Sequence, residues 1–472
     1  MEAAEYFWES LDFKGDALGL LDLFGEEPNL FFLGGSRCDS HQGRYSFIGF
    51  DPFDMVSYKG GDSLDSFEKK FKQYTRPGYQ GFSSSFSPFV SGAVGCLSYD
   101  YGLYQEKIVP QSDDVLGLAD CVFGFYDCII TIDHKRNKLY VSSSGLPEKD
   151  ERLRKLKAEQ CLGDILARIK ESLNETTVNR KENVCLLSQG SLEFSGNFGK
   201  DQYLKAVKKA LAHIAQGDIY QVNLSQRFQM DLGESPDCLA LYRLLCRLSP
   251  APFDGYFDGG NFKLMSNSPE RFLSLSGDAV QTCPMKGTRP RGEDHGKDQK
   301  LREEILGSAK EKAELLMITD LMRNDLGRVC DYGSIIVREM RSLEEYNYVF
   351  QTTSTVEGRL GMGKDCFDLI RACFPGGSIT GCPKIRSMEI IQELEPTRRS
   401  MYTGSLGYIN FDGNMDFNIL IRTLVASHHK LYFQVGSGIV ADSIPEEEYK
   451  ETLVKAQAMK ACLENVFATS GV

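Results

Sequence analysis

The stretch Gly217-Asp218-Ile219-Tyr220-Gln221-Val222-Asn223-Leu224-Ser225-Gln226-Arg227-Phe228 marks a change from one periodicity to another. Upstream, from Asp201, Tyr203, Val207, Leu211 and Ile214 recur at helical spacing until Gln216-Gly217-Asp218 supplies a stop. A strand follows at once, because polar and apolar residues now alternate and Gln221, Asn223, Ser225 and Arg227 share one face. Helix thus passes directly into strand. The polar row is either a solvent-facing edge or the lining of a cleft, and periodicity does not choose between them.

Further along, Arg271 to Leu275 and Ala279 to Thr282 read as short strands around Ser276-Gly277-Asp278. They lead into Cys283-Pro284-Met285-Lys286-Gly287-Thr288-Arg289-Pro290-Arg291-Gly292. Two prolines without amide donors and two permissive glycines make this a strand end turning into a shaped loop. Lys286 stands there with Arg289 and Arg291, as a solvated basic patch or as a reactive amine whose pKa the two arginines lower if they face it. Glu270 lies sixteen residues earlier, between Pro269 and Arg271, where an ion pair with Arg271 explains it as well as acid–base chemistry does.

A net charge of −12 argues against non-specific nucleic-acid binding, since that needs an excess of cations on one face. Fourteen cysteines without a Cys-x-x-Cys pair, and an N-terminus lacking charged and apolar signal regions, predict a reducing cytosol. No apolar run approaches the ~20 residues of a membrane span. The six histidines have no metal-ligand or triad setting, which leaves lysine and carboxylates as candidate catalysts.

Residues 1–147 alternate short strands with turns, as in Gly43 to Pro52 and Phe125 to Asp133, and the small and aromatic residues of Gly92 to Gly102 suit close backbone packing. Residues 148–200 form a helix, with Leu153, Leu156, Leu162, Ile165 and Ile169 as its apolar stripe, and a polar linker over Glu175 to Gly190. Residues 201–466 make up the second region. One helix is predicted from Gln299 to about Leu326, with Glu311 and Glu314 at i and i+3. Another begins after Asp442 or Ser443, with Pro445 in its first turn, Glu448 and Glu451 again at i and i+3, and Leu453, Ala456, Met459, Leu463 and Val466 buried. Two such carboxylate pairs suit Mg²⁺, which takes one or two carboxylates and leaves positions for an anionic substrate. Phe374 to Lys384 is glycine-rich but has Cys382 and Pro383 where a nucleotide loop needs Lys and Ser/Thr. It and Val435 to Val440 read as carboxylate nests.

Together, Gly217 to Phe228, Ser268 to Phe272, Leu316 to Asp325, Gly376 to Lys384 and Gly438 to Ser443 resemble the chorismate-utilising enzymes. The resemblance runs in order over about 200 to 465, and Gly43 to Pro52 and Gly92 to Gly102 extend it more weakly. It implies an α/β (α+β) fold of two packed β-sheets flanked by helices, with two intertwined subdomains. It also implies that Glu314 and Glu451 ligate Mg²⁺, supported by Glu311 and Glu448. Arg422, Tyr402, Thr380 and the amides near Gly436 and Gly438 would hold the substrate carboxylates, with Lys384 nearby. Gln221, Asn223, Thr288 and Gly381 complete the expected substrate contacts.

Within that family, isochorismate and salicylate synthases carry lysine where this chain has Gln221, and anthranilate synthases carry a small residue where it has Lys286. The branch that aminates chorismate at C4 has lysine there. The resemblance thus implies conversion of chorismate and ammonia to 4-amino-4-deoxychorismate, towards para-aminobenzoate and folate, with Lys286 as covalent nucleophile and Glu270 as acid. Ammonia would come from a separate glutamine amidotransferase, since no cysteine lies in a Gly-x-Cys-x-Gly context. The alternatives are anthranilate formation and a non-catalytic regulatory subunit that binds chorismate or an amino acid. Two departures are noted. Gln351 replaces a family histidine, so that histidine's role is not carried over, and Phe32 to Ser36 lacks the Leu-Leu-Glu-Ser pattern of tryptophan sensing, so the resemblance does not carry tryptophan feedback to this chain.

Overall fold

In the computed structural model, which describes residues 6–35, 43–75, 86–174, 194–232, 237–345 and 349–468, the strand Gln221–Asp231 is flanked by Lys430–Ile439 and the short strand Gly381–Cys382. Beyond Lys430–Ile439 the sheet continues through Thr423–Ser427, Phe262–Ser268 and Phe253–Asp258. It then passes into strands of the first region, Phe31–Gly34, Tyr45–Gly49, Cys128–Asp133, Lys138–Ser143 and Phe7–Asp12. The second sheet mixes the regions in the same way. Its order is Met285–Pro290, Val349–Arg359, Ala279–Thr282, Arg271–Ser276, Met415–Asn418, Ser405–Asn410, Gly92–Leu97, Cys121–Tyr126 and Asp54–Tyr58. This α/β architecture of two interleaved sheets is the one expected. Residues 175–193, which hold the expected linker, and Ser36 of the Phe32 to Ser36 segment fall outside the described residues.

The sheets pack face to face through Phe31, Phe47, Phe257 and Leu264 of one and Val94, Val122, Leu406 and Tyr408 of the other. Burying each large apolar side chain contributes roughly 1.5–3 kcal/mol relative to exposure. Helices Glu151–Asn174, Cys238–Leu248 and Pro445–Ala468 cover the outer face of the first sheet. Ser63–Phe71, Ala309–Gly327 and Cys366–Cys373 cover that of the second.

Three expectations need correction. Leu153 and Leu156 are exposed, because the buried stripe of their helix runs instead through Arg154, Ala158, Leu162, Ile165, Leu166 and Ile169. The helix expected over Gln299 to Leu326 is two helices, His295–Gly307 and Ala309–Gly327, divided where the Ser308 hydroxyl accepts from the Glu311 amide at 3.3 Å. In the C-terminal helix, Thr452 is buried and Leu453 is partly exposed.

Candidate active site

Met285–Pro290 is a strand rather than a loop, since it finds a partner in Val349–Arg359, with Lys286 opposite Thr352 and Thr288 opposite Gln351. The register slips between Lys286 and Thr288, and Gly287 takes φ 75° at the slip. Such a bulge re-aims the neighbouring side chain. Lys286 points inward and its ammonium donates to the Ser378 carbonyl oxygen at 3.3 Å. Arg289 and Arg291 do not face it. Arg289 donates to Glu311 at 2.7 Å, and Arg291 makes a two-point pair with Asp298 at 2.6 and 2.7 Å. The pKa of Lys286 is nevertheless lowered, by burial, which Glu314 and Glu270 offset only in part.

Glu270 lies where the chain leaves Phe262–Ser268 of one sheet for Arg271–Ser276 of the other. Arg271 turns away to Asp416, at 2.8 and 3.0 Å, so it does not neutralise Glu270. The Glu270 carboxyl is buried and accepts from the Ser378 hydroxyl and the Met285 amide. Burial pushes its pKa up from 4.5 to about 7, against the pull of those hydrogen bonds and of Lys286. Burial thus favours the neutral form of each group, the protonated carboxyl and the free amine.

The polar row of Gln221–Asp231 faces inward. Gln221, Ser225 and Arg227 are buried and Asn223 is partly so. What fills the space beneath them is an ion pair that sequence reading missed. Arg399 donates to Glu395 at 2.8 and 3.0 Å, to the Ile379 carbonyl at 2.8 Å and to the Asn223 carbonyl at 2.6 Å. Ser225 donates to Glu395 from both its amide and its hydroxyl. The i,i+4 spacing of Glu395 and Arg399 on the chain was the available signal.

Gln221, Asn223, Gly436, Gly438 and Tyr402 converge. A Cβ at Gly438 would sit 2.3 Å from the Gln221 amide nitrogen, and one at Gly436 would sit 2.7 Å from the Asn223 Oδ1. Both positions therefore present bare backbone beside the row. The Gln221 Oε1 is buried without a hydrogen-bond partner. Asn223 donates to the Ile379 carbonyl at 3.1 Å and pairs with the Tyr402 hydroxyl, whose pKa burial raises to about 12. Arg422, with φ 51°, directly precedes the strand Thr423–Ser427, and its carbonyl accepts from the Asn267 amide at 3.1 Å. Thr380 directs its hydroxyl to the Gly376 and Gly377 carbonyls, at 3.0 and 3.3 Å, and Gly381 lets the turn approach the Gln221 carbonyl closely. Lys384, expected near the substrate, is buried, and its ammonium donates to Asp325 and, at 2.9 Å, to the Cys373 carbonyl. Thr288 contributes its backbone to the bulged strand.

Among the four glutamates, Glu314 and Glu451 act electrostatically on each other and on Lys286. Burial raises the pKa of Glu314, with Glu311 and Glu451 adding to the rise and Lys286 and Lys310 opposing it. Glu451 is exposed and pairs with Lys455 at 2.7 Å. Glu311 has one oxygen on Arg289 and the other buried without a hydrogen-bond partner, while buried Glu448 accepts from Ser443 at 2.6 Å. Among the described residues no group of three or more acidic, histidine or cysteine side chains is gathered closely enough to hold a metal alone. The donors fit Mg²⁺ held by one or two carboxylates and completed by water and an anionic substrate, and they do not form an all-protein cage. Elsewhere, a cavity of about 450 Å³ is lined by residues including Leu33, Tyr45, Phe253, Arg271 and Asp416.

An amine and an acid meeting between two sheets, beside bare backbone and paired glutamates, place the chain in a known class. It belongs to the family described as chorismate binding enzymes, which matches residues 36–461. Among its relatives, an aminodeoxychorismate synthase component 1 from Bacillus subtilis is 38% identical over 441 residues, covering 89% of this chain and 90% of the relative. An anthranilate synthase component 1 from Thermus thermophilus is 41% identical over 377 residues, covering 80% and 78%. The crystal structure of anthranilate synthase component I from Streptococcus pneumoniae TIGR4 superposes with a TM-score of 0.75 at 30% identity, over 89% of this chain and 93% of that one. Among the described residues, no helix is long and apolar enough to cross a membrane.

Proposed function

We propose that this chain aminates chorismate at C4, giving 4-amino-4-deoxychorismate, with ammonia delivered by a separate glutamine amidotransferase. The observation that carries the reading is Lys286, an inward-facing amine of lowered basicity beside the buried acid Glu270. The Lys286 amine bonds to C2 as the ring double bonds shift and the C4–O bond breaks. Glu270 gives its proton to the departing hydroxyl, which leaves as water. Ammonia then bonds to C4, the double bonds return, the lysine nitrogen leaves C2, and the surplus proton returns to Glu270. Mg²⁺ bound by Glu314 and Glu451 would neutralise substrate carboxylate charge. The Gly436 and Gly438 amides, Tyr402 and Arg422 orient the ring. The relatives named component 1 support a two-chain enzyme, and the Thermus relative keeps anthranilate formation as the second reading.

Incubation of the purified chain with chorismate, ammonium and Mg²⁺ decides between them. Aminodeoxychorismate, identified by mass, supports the proposal; fluorescent anthranilate with pyruvate release overturns it. Glu314→Gln and Glu451→Gln are each expected to lower Mg²⁺-dependent turnover by about a hundredfold or more with the fold intact.

A further inference from the structure

The turn Gly377–Ile379 places two different atoms of one residue on the two reacting groups. The Ser378 hydroxyl reaches the Glu270 carboxyl, and its carbonyl oxygen takes the Lys286 ammonium at 3.3 Å. We propose that Ser378 is a positioning residue for this pair, fixing the spacing of acid and amine and biasing the protonation of each through a separate atom.

The turn is immobilised from every side. A Cβ at Gly377 would lie 2.5 Å from Met322 and 2.6 Å from Leu321, so the backbone is seated against the helix Ala309–Gly327. Next to Ser378, the Ile379 carbonyl accepts from both Arg399 and Asn223, at 2.8 and 3.1 Å. Thr380 ties the turn to the Gly376 carbonyl at 3.0 Å. Ser378 is itself buried, so its contacts are little screened by water. A hydroxyl donor favours the carboxylate form of Glu270, and a carbonyl acceptor favours the ammonium form of Lys286. Both oppose the effect of burial and keep either group from settling permanently in its neutral state.

Because the lysine contact is made by the main chain, replacing the side chain separates the two. The inference rests on Lys286 and Glu270 being the reacting pair, and its test does not depend on which product forms. Carbon-13 titration of glutamate carboxyls, with Glu270→Gln identifying the resonance, would be run on wild type, Ser378→Ala and Ser378→Cys, alongside thermal melts. The Glu270 midpoint is expected to rise by about one pH unit in Ser378→Ala and by less in Ser378→Cys, whose thiol is a weaker donor. Chorismate consumption is expected to fall about tenfold in kcat for Ser378→Ala, with KM within about twofold. Should wild type make anthranilate while the midpoint still moves, the reaction assignment falls and the role of Ser378 stands. An unmoved midpoint in folded Ser378→Ala or Ser378→Cys overturns the inference.

Discussion

Two pairs of a cation and a carboxylate meet at the Gly377–Ile379 turn, each cation donating to one of its carbonyls, and they are built to opposite ends. Arg399 and Glu395 are satisfied on nearly every side by each other, by two carbonyls and by Ser225. Burial alone would lower the pKa of Arg399, yet Glu395 and Tyr99 more than offset it and the net shift is upward. Lys286 and Glu270 have fewer partners, and burial prevails: the amine moves down and the acid up to about 7. Hydrogen-bond satisfaction, more than depth, decides whether a buried charge is locked or free to exchange a proton.

The largest expected effect tests the free pair. Lys286→Ala should lower 4-amino-4-deoxychorismate formation by about a thousandfold or more, and Lys286→Arg should not rescue it, because guanidinium keeps its proton. An undiminished rate in either variant, assayed with ammonium, would leave nothing of the contrast. Next, Arg399→Met should destabilise the fold by about 3–5 kcal/mol in urea titrations, since it strands a buried carboxylate, and adding Glu395→Leu should recover much of that loss. A mild effect of Arg399→Met would show that the pair is not locked as the geometry indicates.

Glu270→Gln sharpens the comparison through pH. The folded protein holds the Glu270 proton up to about pH 7, whereas the unfolded chain releases it near 4.5, so this group contributes stability below pH 4.5 that is lost as pH rises to 7. Relative to Glu270→Gln, wild type should lose about 3 kcal/mol across that window and stay level above it. Parallel stability curves for the two proteins from pH 4 to 8 would refute the shift. The smallest effect belongs to the bare backbone: Gly438→Ala brings a methyl to 2.3 Å from the Gln221 amide nitrogen, the end of a flexible side chain. It should raise KM for chorismate about tenfold with a smaller change in kcat.

Much of this was legible before the fold was seen, for reasons that differ from residue to residue. Glu311 and Glu314 announced a shared helix face by spacing, and Pro445 marked the start of the last helix. The division at Ser308 was also readable, since Ser308 precedes Glu311 at capping-box spacing within a stretch that otherwise favours helix. The direction of the Gln221 row was not, because alternation defines two faces but does not say what covers them; Arg399, far along the chain, decides that. Met285–Pro290 carries turn-forming residues and becomes a strand only by pairing with Val349–Arg359. Likewise, nothing local to Arg289 and Arg291 foretold that Glu311 and Asp298 would hold them.

The interleaving of the sheets governs how the chain acquires its shape on the ribosome. Val90 donates to the side chain of Asn410, 320 positions away, and Phe31–Gly34 waits for Phe253–Asp258 to complete its pairing. Neither sheet closes until residues beyond 400 have emerged, so at a synthesis rate of about 5–20 residues per second the first strands spend roughly 20 seconds or more with open edges. Contacts this remote in sequence make folding slow after release as well. Truncation after the first region should therefore yield an aggregating fragment rather than a small stable protein, and nascent strands such as Gly92–Leu97 are natural clients for chaperones that shield hydrophobic edges.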